Sequence, residues 1–310
     1  MTYDFDALLG RVEKPGRYTG GEMNADVKPI AQADISFAFC FPDTYEVAMS
    51  HLGMKILYGI LNSLPYAVCE RVCMPWVDML SELRINHIPL CSLESHTPLS
   101  RFDIIGFTLQ YEMSYTNVLE MMDLGGVPVL SAERGEDDPI VLAGGPCAFN
   151  PEPLHLFIDA FLIGDGEDSI VEVTDVLNAC KKEGVPRAER LRRLAALRGV
   201  YVPGLYHDEY NADGTLKSLE PVDACAPPRV LRSILTDFEN AYVPTSPPVP
   251  YLQPVFDRIM LEIMRGCTRG CRFCQAGMLY RPVRERSVDK LVELARESVR
   301  NTAMRKSRFP

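Results

Sequence analysis

No run of apolar residues in this sequence approaches the ~20 that a membrane-spanning helix needs. The N-terminus, MTYDFDALLG, has neither the basic start nor the long apolar stretch of an export signal. Membrane insertion and export are set aside, and a cytoplasmic location is expected. Positive charge is short as well: 32 Lys and Arg stand against 42 Asp and Glu, a net charge of −10, which argues against a broadly basic nucleic-acid surface. Histidine is scarce, with five residues, none beyond His207, and no close ligand pair among them. No Ser–His–Asp pattern, phosphate-binding loop or internal repeat stands out. What the sequence does hold is ten cysteines. In a reducing compartment clustered thiols are read as metal ligands rather than as a disulfide framework.

A length of 310 residues, 47% of them hydrophobic, fits roughly two globular domains with sizeable cores. Residues 1–33 read as an irregular extension punctuated by KPGRYTGGE (Lys14–Glu22). From 34 to 198 strand and helix patterns alternate. ISFAFCF (35–41) is an apolar run of the kind buried on both faces of a parallel sheet. EVAMSHLGMKILYGILNS (46–63) reads as one helix, with Val47, Leu52, Ile56, Leu57 and Ile60 on its apolar face. Further strands are predicted at 66–72, 102–110, 139–145 and 159–167, with helices near Trp76–Arg84, Ser114–Leu124 and Ser169–Lys182. The expected fold class is α/β: a doubly wound parallel sheet in a flavodoxin-like order. Residues 199–254 hold a hairpin signal at Asp213-Gly214 and a proline-rich linker, VPTSPPVPYLQP (243–254). From 255 to 310 a new unit begins. VFDRIMLEIMRG (255–266) is predicted as a strand alternating through Ile259, Leu261 and Ile263, and 287–304 as a helix.

Where that predicted strand ends, Cys267, Cys271 and Cys274 follow at C-x3-C-x2-C spacing. A closed structural zinc site takes four ligands, usually as two pairs, and no second pair follows. Three soft ligands on one glycine-bearing loop suit zinc or iron–sulfur and leave one metal position open. Cys69 and Cys73 share a strand face and are read as buried thiols. Cys40, Cys91, Cys147, Cys180 and Cys225 are scattered and read as inert. Arg265, Arg269, Arg272, Arg281, Arg284 and Arg286 make the end of the chain locally basic: either a solvated face or a pocket for an anionic ligand or RNA.

The stretch CTRGCRFC, with Phe273 just before its third cysteine, resembles the cluster loop of radical SAM enzymes. The resemblance implies that Cys267, Cys271 and Cys274 hold a [4Fe–4S] cluster whose fourth iron chelates S-adenosylmethionine. Phe273 would line the adenine side, an electron from a flavodoxin or ferredoxin would be passed on, and a 5′-deoxyadenosyl radical would form. It also implies that the loop follows the first strand of a partial (β/α) barrel. Further upstream, MSHLGMKILYGIL, VLAGGPCAFNPEP and FLIGDGED resemble the helix and glycine turns of the cobalamin-binding-type domain that precedes such barrels. With KPGRYTGGE, TLQYEMSYTN and RGEDDPIVLAGGP, nearly all 310 residues resemble an uncharacterised family of B12-binding-type radical SAM proteins.

In that frame Gly144, Gly145, Gly164 and Gly166 are candidate cobalamin or ligand turns at strand ends; as tight turns alone they are equally well explained. The axial-histidine motif Asp-x-His-x-x-Gly is absent and His51 stands outside any such pattern, so a corrinoid would be held base-off without a protein ligand. Related families suggest RNA modification or methylation as the reaction. Because the barrel needs roughly 200 residues after the cluster strand, and the final RKSRFP resembles no barrel strand, the chain is expected to be truncated and inactive alone. The alternative is a non-catalytic α/β binding module with a vestigial or zinc-binding cysteine loop.

Overall fold

The computed structural model describes residues 5–302 and 307–308. Ile35–Phe41 (β1) is buried at every position, as a strand covered on both faces must be. It lies between Ala67–Cys73 (β2) and Ile104–Thr108 (β3), followed by Ile140–Gly144 (β4) and Ala160–Leu162 (β5). The order is β2-β1-β3-β4-β5, all parallel, and Val200–Tyr201 (β6) closes the edge antiparallel to β5. This is the expected doubly wound arrangement. Its order reverses between β1 and β3, which places a crevice at their carboxyl ends.

The helices are Phe5–Leu9 (α1), Tyr45–Ala48 (α2), Leu52–Ser63 (α3), Val77–Ile85 (α4), Tyr115–Leu124 (α5), Gly166–Glu183 (α6) and Arg187–Ala195 (α7). The two-residue period of β1 divides them between two layers. Ala38 and Cys40 face a core with Met79, Leu83, Val118 and Met122 from α4 and α5. Phe37, Phe39 and Phe41 face one with Met54, Ile56, Ile170, Val173 and Leu194 from α3, α6 and α7. The helix expected over 46–63 is broken at His51, which takes extended dihedrals (φ −93°, ψ 116°) and caps α3 by accepting from the Met54 amide. Residues 5–33 are tied to the sheet by Leu8, Val12 and Tyr18 in its core and by a buried ion pair. Arg71 on β2, 1% exposed, pairs with Glu22 at 2.7 Å and with Glu94 at 2.6 Å.

Tyr206–Tyr210 (β7) and Leu216–Pro221 (β8) form the hairpin expected at Asp213-Gly214, with Gly214 at φ 82°. The run 255–266 differs from expectation, since it is not one strand. Ile259–Met260 (β9) pairs in parallel with Ser307–Arg308 (β12), whereas Met264–Arg265 (β10) pairs antiparallel with Arg284–Glu285 (β11). The ladder changes partner between the two halves, and Leu261 packs with Ile259 and Leu294 in a small separate cluster. Ala276–Leu279 (α8) and Val288–Thr302 (α9) complete the elements. The final RKSRFP, expected to resemble no barrel strand, supplies the two-residue β12 at Ser307–Arg308; its other four residues, and the predicted helix beyond Thr302, lie outside the described residues. Among the described residues no helix is long and apolar enough to cross a membrane.

Candidate functional site

At the carboxyl ends of β1, β3, β4 and β5 lies a cavity of about 420 Å³. Phe37, Phe39, Gly106 and Leu142 form its floor, and α3 and α6 wall it with Ile56, Leu57 and Ile170. All four glycines singled out in the sequence line it. Gly145 is held at φ 100°, and a Cβ there would meet the Leu109 carbonyl oxygen at 2.7 Å. Leu109 also donates its amide to the Gly144 carbonyl at 2.7 Å, so the ends of β3 and β4 are laced together at this turn. Gly164, at φ 114°, would drive a Cβ into the Ser233 carbonyl. That close approach lets Ser233 bond both Ile163 and Asp165 through its backbone. Gly106 was not singled out in the sequence. A Cβ there would stand 2.5 Å from Phe37 Cζ, so the bare strand makes room for the ring on the cavity floor. An isolated glycine inside a strand pattern was the available signal.

Met264, Arg265 and Gly266 from one side, and Leu279 and Tyr280 from the other, bring the end of the chain over this cavity. These residues bracket the cysteine loop. The seam between loop and sheet is charged. The Arg265 guanidinium donates to Glu167 at 2.6 Å, to Asp165 at 3.0 Å and to Glu262 at 2.9 Å, and lies over the Phe238 ring with 5.3 Å to its centroid. Arg284 donates to Asp165 and to the Leu235 carbonyl, and Arg286 to the Glu262 carbonyl at 2.6 Å. Burial pushes the Asp165 carboxyl up, but the bonds from Arg284 and the Leu235 amide, with the charge of Arg265, bring it below the usual range. Arg265 and Arg284 of the basic tail are therefore internal partners for carboxylates on the β5–α6 turn and Arg286 bonds Glu262, while Arg269, Arg272 and Arg281 remain exposed.

Within the loop, the Cys267 sulfur accepts from the Arg269 amide at 3.4 Å and the Cys274 amide donates to the Cys271 carbonyl at 3.1 Å. Among the described residues no three His, Cys, Asp or Glu side chains are drawn together closely enough to hold a metal, so the three cysteines share a loop without converging on a point. Phe273 is 92% exposed. The donor chemistry nevertheless fits a soft metal: three free thiols, and no carboxylate between Cys267 and Arg284. The remaining cysteines differ in kind. Burial pushes the thiols of Cys73 and Cys91 up to about 12 and those of Cys40 and Cys69 well above their usual range, which suppresses the thiolate that binds metals.

For a corrinoid the cavity supplies no free axial histidine. His51 lines it, but its Nδ1 accepts from the Met54 amide at 3.1 Å. Burial lowers its pKa, leaving it neutral with its lone pair engaged. The site offers an apolar slot and glycine turns, and no free imidazole.

The sheet, its glycine turns and the cavity define an α/β unit that carries a cysteine loop over its carboxyl edge. Residues 53–203, from the start of α3 through β6, match the family of radical SAM proteins, N-terminal. An uncharacterised protein of Methanocaldococcus jannaschii is 29% identical over 264 residues, 85% of this chain and 46% of that protein. The structure of the cobalamin-dependent S-adenosylmethionine radical enzyme OxsB, with aqua-cobalamin and S-adenosylmethionine bound, superposes with a TM-score of 0.50 at 18% identity. That match covers 86% of this chain and 32% of OxsB. The radical S-adenosylmethionine methyltransferase TsrM of Kitasatospora setae aligns with a TM-score of 0.48 at 14% identity, over 89% of this chain and 47% of TsrM. The chain thus spans less than half the length of each of these proteins.

Proposed function

We propose that this chain is the N-terminal part of a cobalamin-type radical SAM enzyme, in which the sheet cavity takes a corrinoid and the loop takes an iron–sulfur cluster with S-adenosylmethionine. The observation that carries the reading is the shared cavity: its walls are the glycine turns of the sheet, and its roof is the two ends of the cysteine loop. In this reading residues 1–33 are an extension, 34–198 the cobalamin-type domain, 199–254 the hairpin and linker, and 255–310 the start of a partial barrel. Cys267, Cys271 and Cys274 hold a [4Fe–4S] cluster, and Phe273 turns onto the adenine of S-adenosylmethionine. Gly144, Gly145, Gly164 and Gly166 let the backbone approach the corrinoid. Such a pair supplies one-electron cleavage of the sulfonium and a methyl carrier. The protein's own part is to position the two groups: Arg265 and Arg284 fix the loop to the β5–α6 turn, and the apolar floor excludes water.

The partners that follow are S-adenosylmethionine, a flavodoxin or ferredoxin as reductant, and an anionic substrate such as RNA, for which the exposed Arg269, Arg272 and Arg281 provide charge. The location that suits this chemistry is the reducing cytoplasm. Anaerobic reconstitution with iron and sulfide tests the reading. It should give about four iron and four sulfide per chain and a base-off absorption spectrum on titration with aquacobalamin. Cys267→Ser, Cys271→Ser and Cys274→Ser should each abolish cluster loading, while Cys225→Ser should not. Stoichiometric zinc without sulfide would overturn the cluster in favour of a binding module.

A further inference from the structure

A second cavity, of about 290 Å³, opens beside the first at the carboxyl ends of β1 and β3. The two share His51, Thr108 and Gln110, which stand between them as a partition. Gln110 donates to the Thr108 hydroxyl at 2.6 Å and His51 accepts from the Met54 amide at 3.1 Å, so each side of the partition is held. The second cavity has a different character from the first. Aromatic rings of Phe41, Tyr111 and Phe256 line it together with Val47 and Val255. Its roof is pinned: the Phe256 amide donates to the Ser50 hydroxyl at 3.1 Å, and that hydroxyl donates to the Glu46 carbonyl at 2.7 Å.

Among the residues lining this cavity, Asp43 carries the one charge. Its Oδ1 accepts from the Thr44 amide at 2.7 Å and its Oδ2 from the Tyr111 hydroxyl at a loose 3.3 Å, which leaves acceptor capacity on both oxygens. No arginine or lysine lines the space. The Phe256 ring already serves as a platform for a cation, since the Arg258 guanidinium lies 5.7 Å from its centroid. Rings plus a single carboxylate select a flat group that bears a positive charge or N–H donors, and reject phosphates and carboxylates.

We propose that this second cavity is a binding site for an arylalkylamine, whose flat ring packs between Tyr111 and Phe256 and whose ammonium group donates to Asp43. The site stands on its own lining and does not depend on the corrinoid reading of the neighbouring cavity. The 310-residue chain tests it with a matched pair of fluorescent probes, 2-naphthylmethylamine and 2-naphthylacetate, titrated at pH 7. The amine should bind saturably, and the carboxylate at least tenfold more weakly. Asp43→Asn keeps the acceptor for the Thr44 amide, so the fold is preserved; it should weaken the amine about tenfold and shrink the difference between probes. Phe256→Ala, at a half-exposed ring, should weaken both probes together. Equal affinities for the two probes, no binding of the amine, or indifference to both substitutions would overturn the site. So would displacement of the bound amine by aquacobalamin, which would assign the space to the corrinoid; failure of cobalamin to bind at all would leave this proposal intact.

Discussion

Replacing Arg265 by Met should free the cysteine loop from the sheet without unfolding the sheet. The two large apolar cores are built from the sheet and its helices, while β9 and α9 keep only a small cluster of Ile259, Leu261 and Leu294. What fastens the later segment over the cavity is therefore largely charge, and Arg265 is its centre, bonded to three carboxylates. Methionine keeps much of the stem's packing on Phe238 but strands Glu167, which is buried and whose two carboxylate oxygens both accept from Arg265. Removing one member of such a buried set costs about 3 kcal/mol, chiefly because the remaining charge is left uncompensated. At 1.4 kcal/mol per factor of ten, the population in which the seam is open should rise roughly 150-fold. Hydrogen–deuterium exchange read by mass spectrometry resolves this regionally. Peptides covering 259–302 should exchange faster by about that factor, while those covering β1 and β3 should not change. Arg265→Lys keeps the charge and loses the fork, so it should fall between. Pairing Arg265→Met with Glu167→Leu removes the stranded charge and should recover much of the loss. Equal acceleration in β1 and β3, or none in 259–302, would refute the idea that charge holds the seam.

Two further outcomes follow from the same geometry. Gly164→Ala combines a φ of 114° with a Cβ placed against the Ser233 carbonyl, so it should destabilise the chain by about 2–3 kcal/mol; thermal unfolding within a degree or so of the parent would show that the turn relaxes freely. Asp165 has a folded pKa below that of the unfolded chain, about 3.9, so its contribution is complete above that value and is lost as pH falls through the folded one. The unfolding temperature should drop on acidification below about pH 4, and Asp165→Asn should flatten that drop; an unchanged slope would place the titration elsewhere.

How much of this was legible depended on the range over which each signal acts. The strands were legible because burial on two faces writes itself locally: ISFAFCF became β1 over the same seven residues, and the glycine turns at 144–145 and 164–166 came out at the ends of β4 and β5. The break at His51 was hidden because the apolar period runs straight through it, and histidine is not among the usual capping residues. The divided strand at 259–265 was hidden because alternation reports which face is buried, not which neighbour completes the ladder. The arginines misled most. Read by sign, six of them near the end of the chain form a basic tail. In the fold, Arg265 and Arg284 answer Asp165 and Glu167, about one hundred residues earlier. Local composition cannot reveal such a pairing, because ion pairs have no period and are specified only by the completed fold. The same distinction separates the two cavities. The first was foreshadowed by glycines that serve the backbone where they stand, whereas the second needs Asp43, Tyr111 and Phe256 brought together from three separate segments.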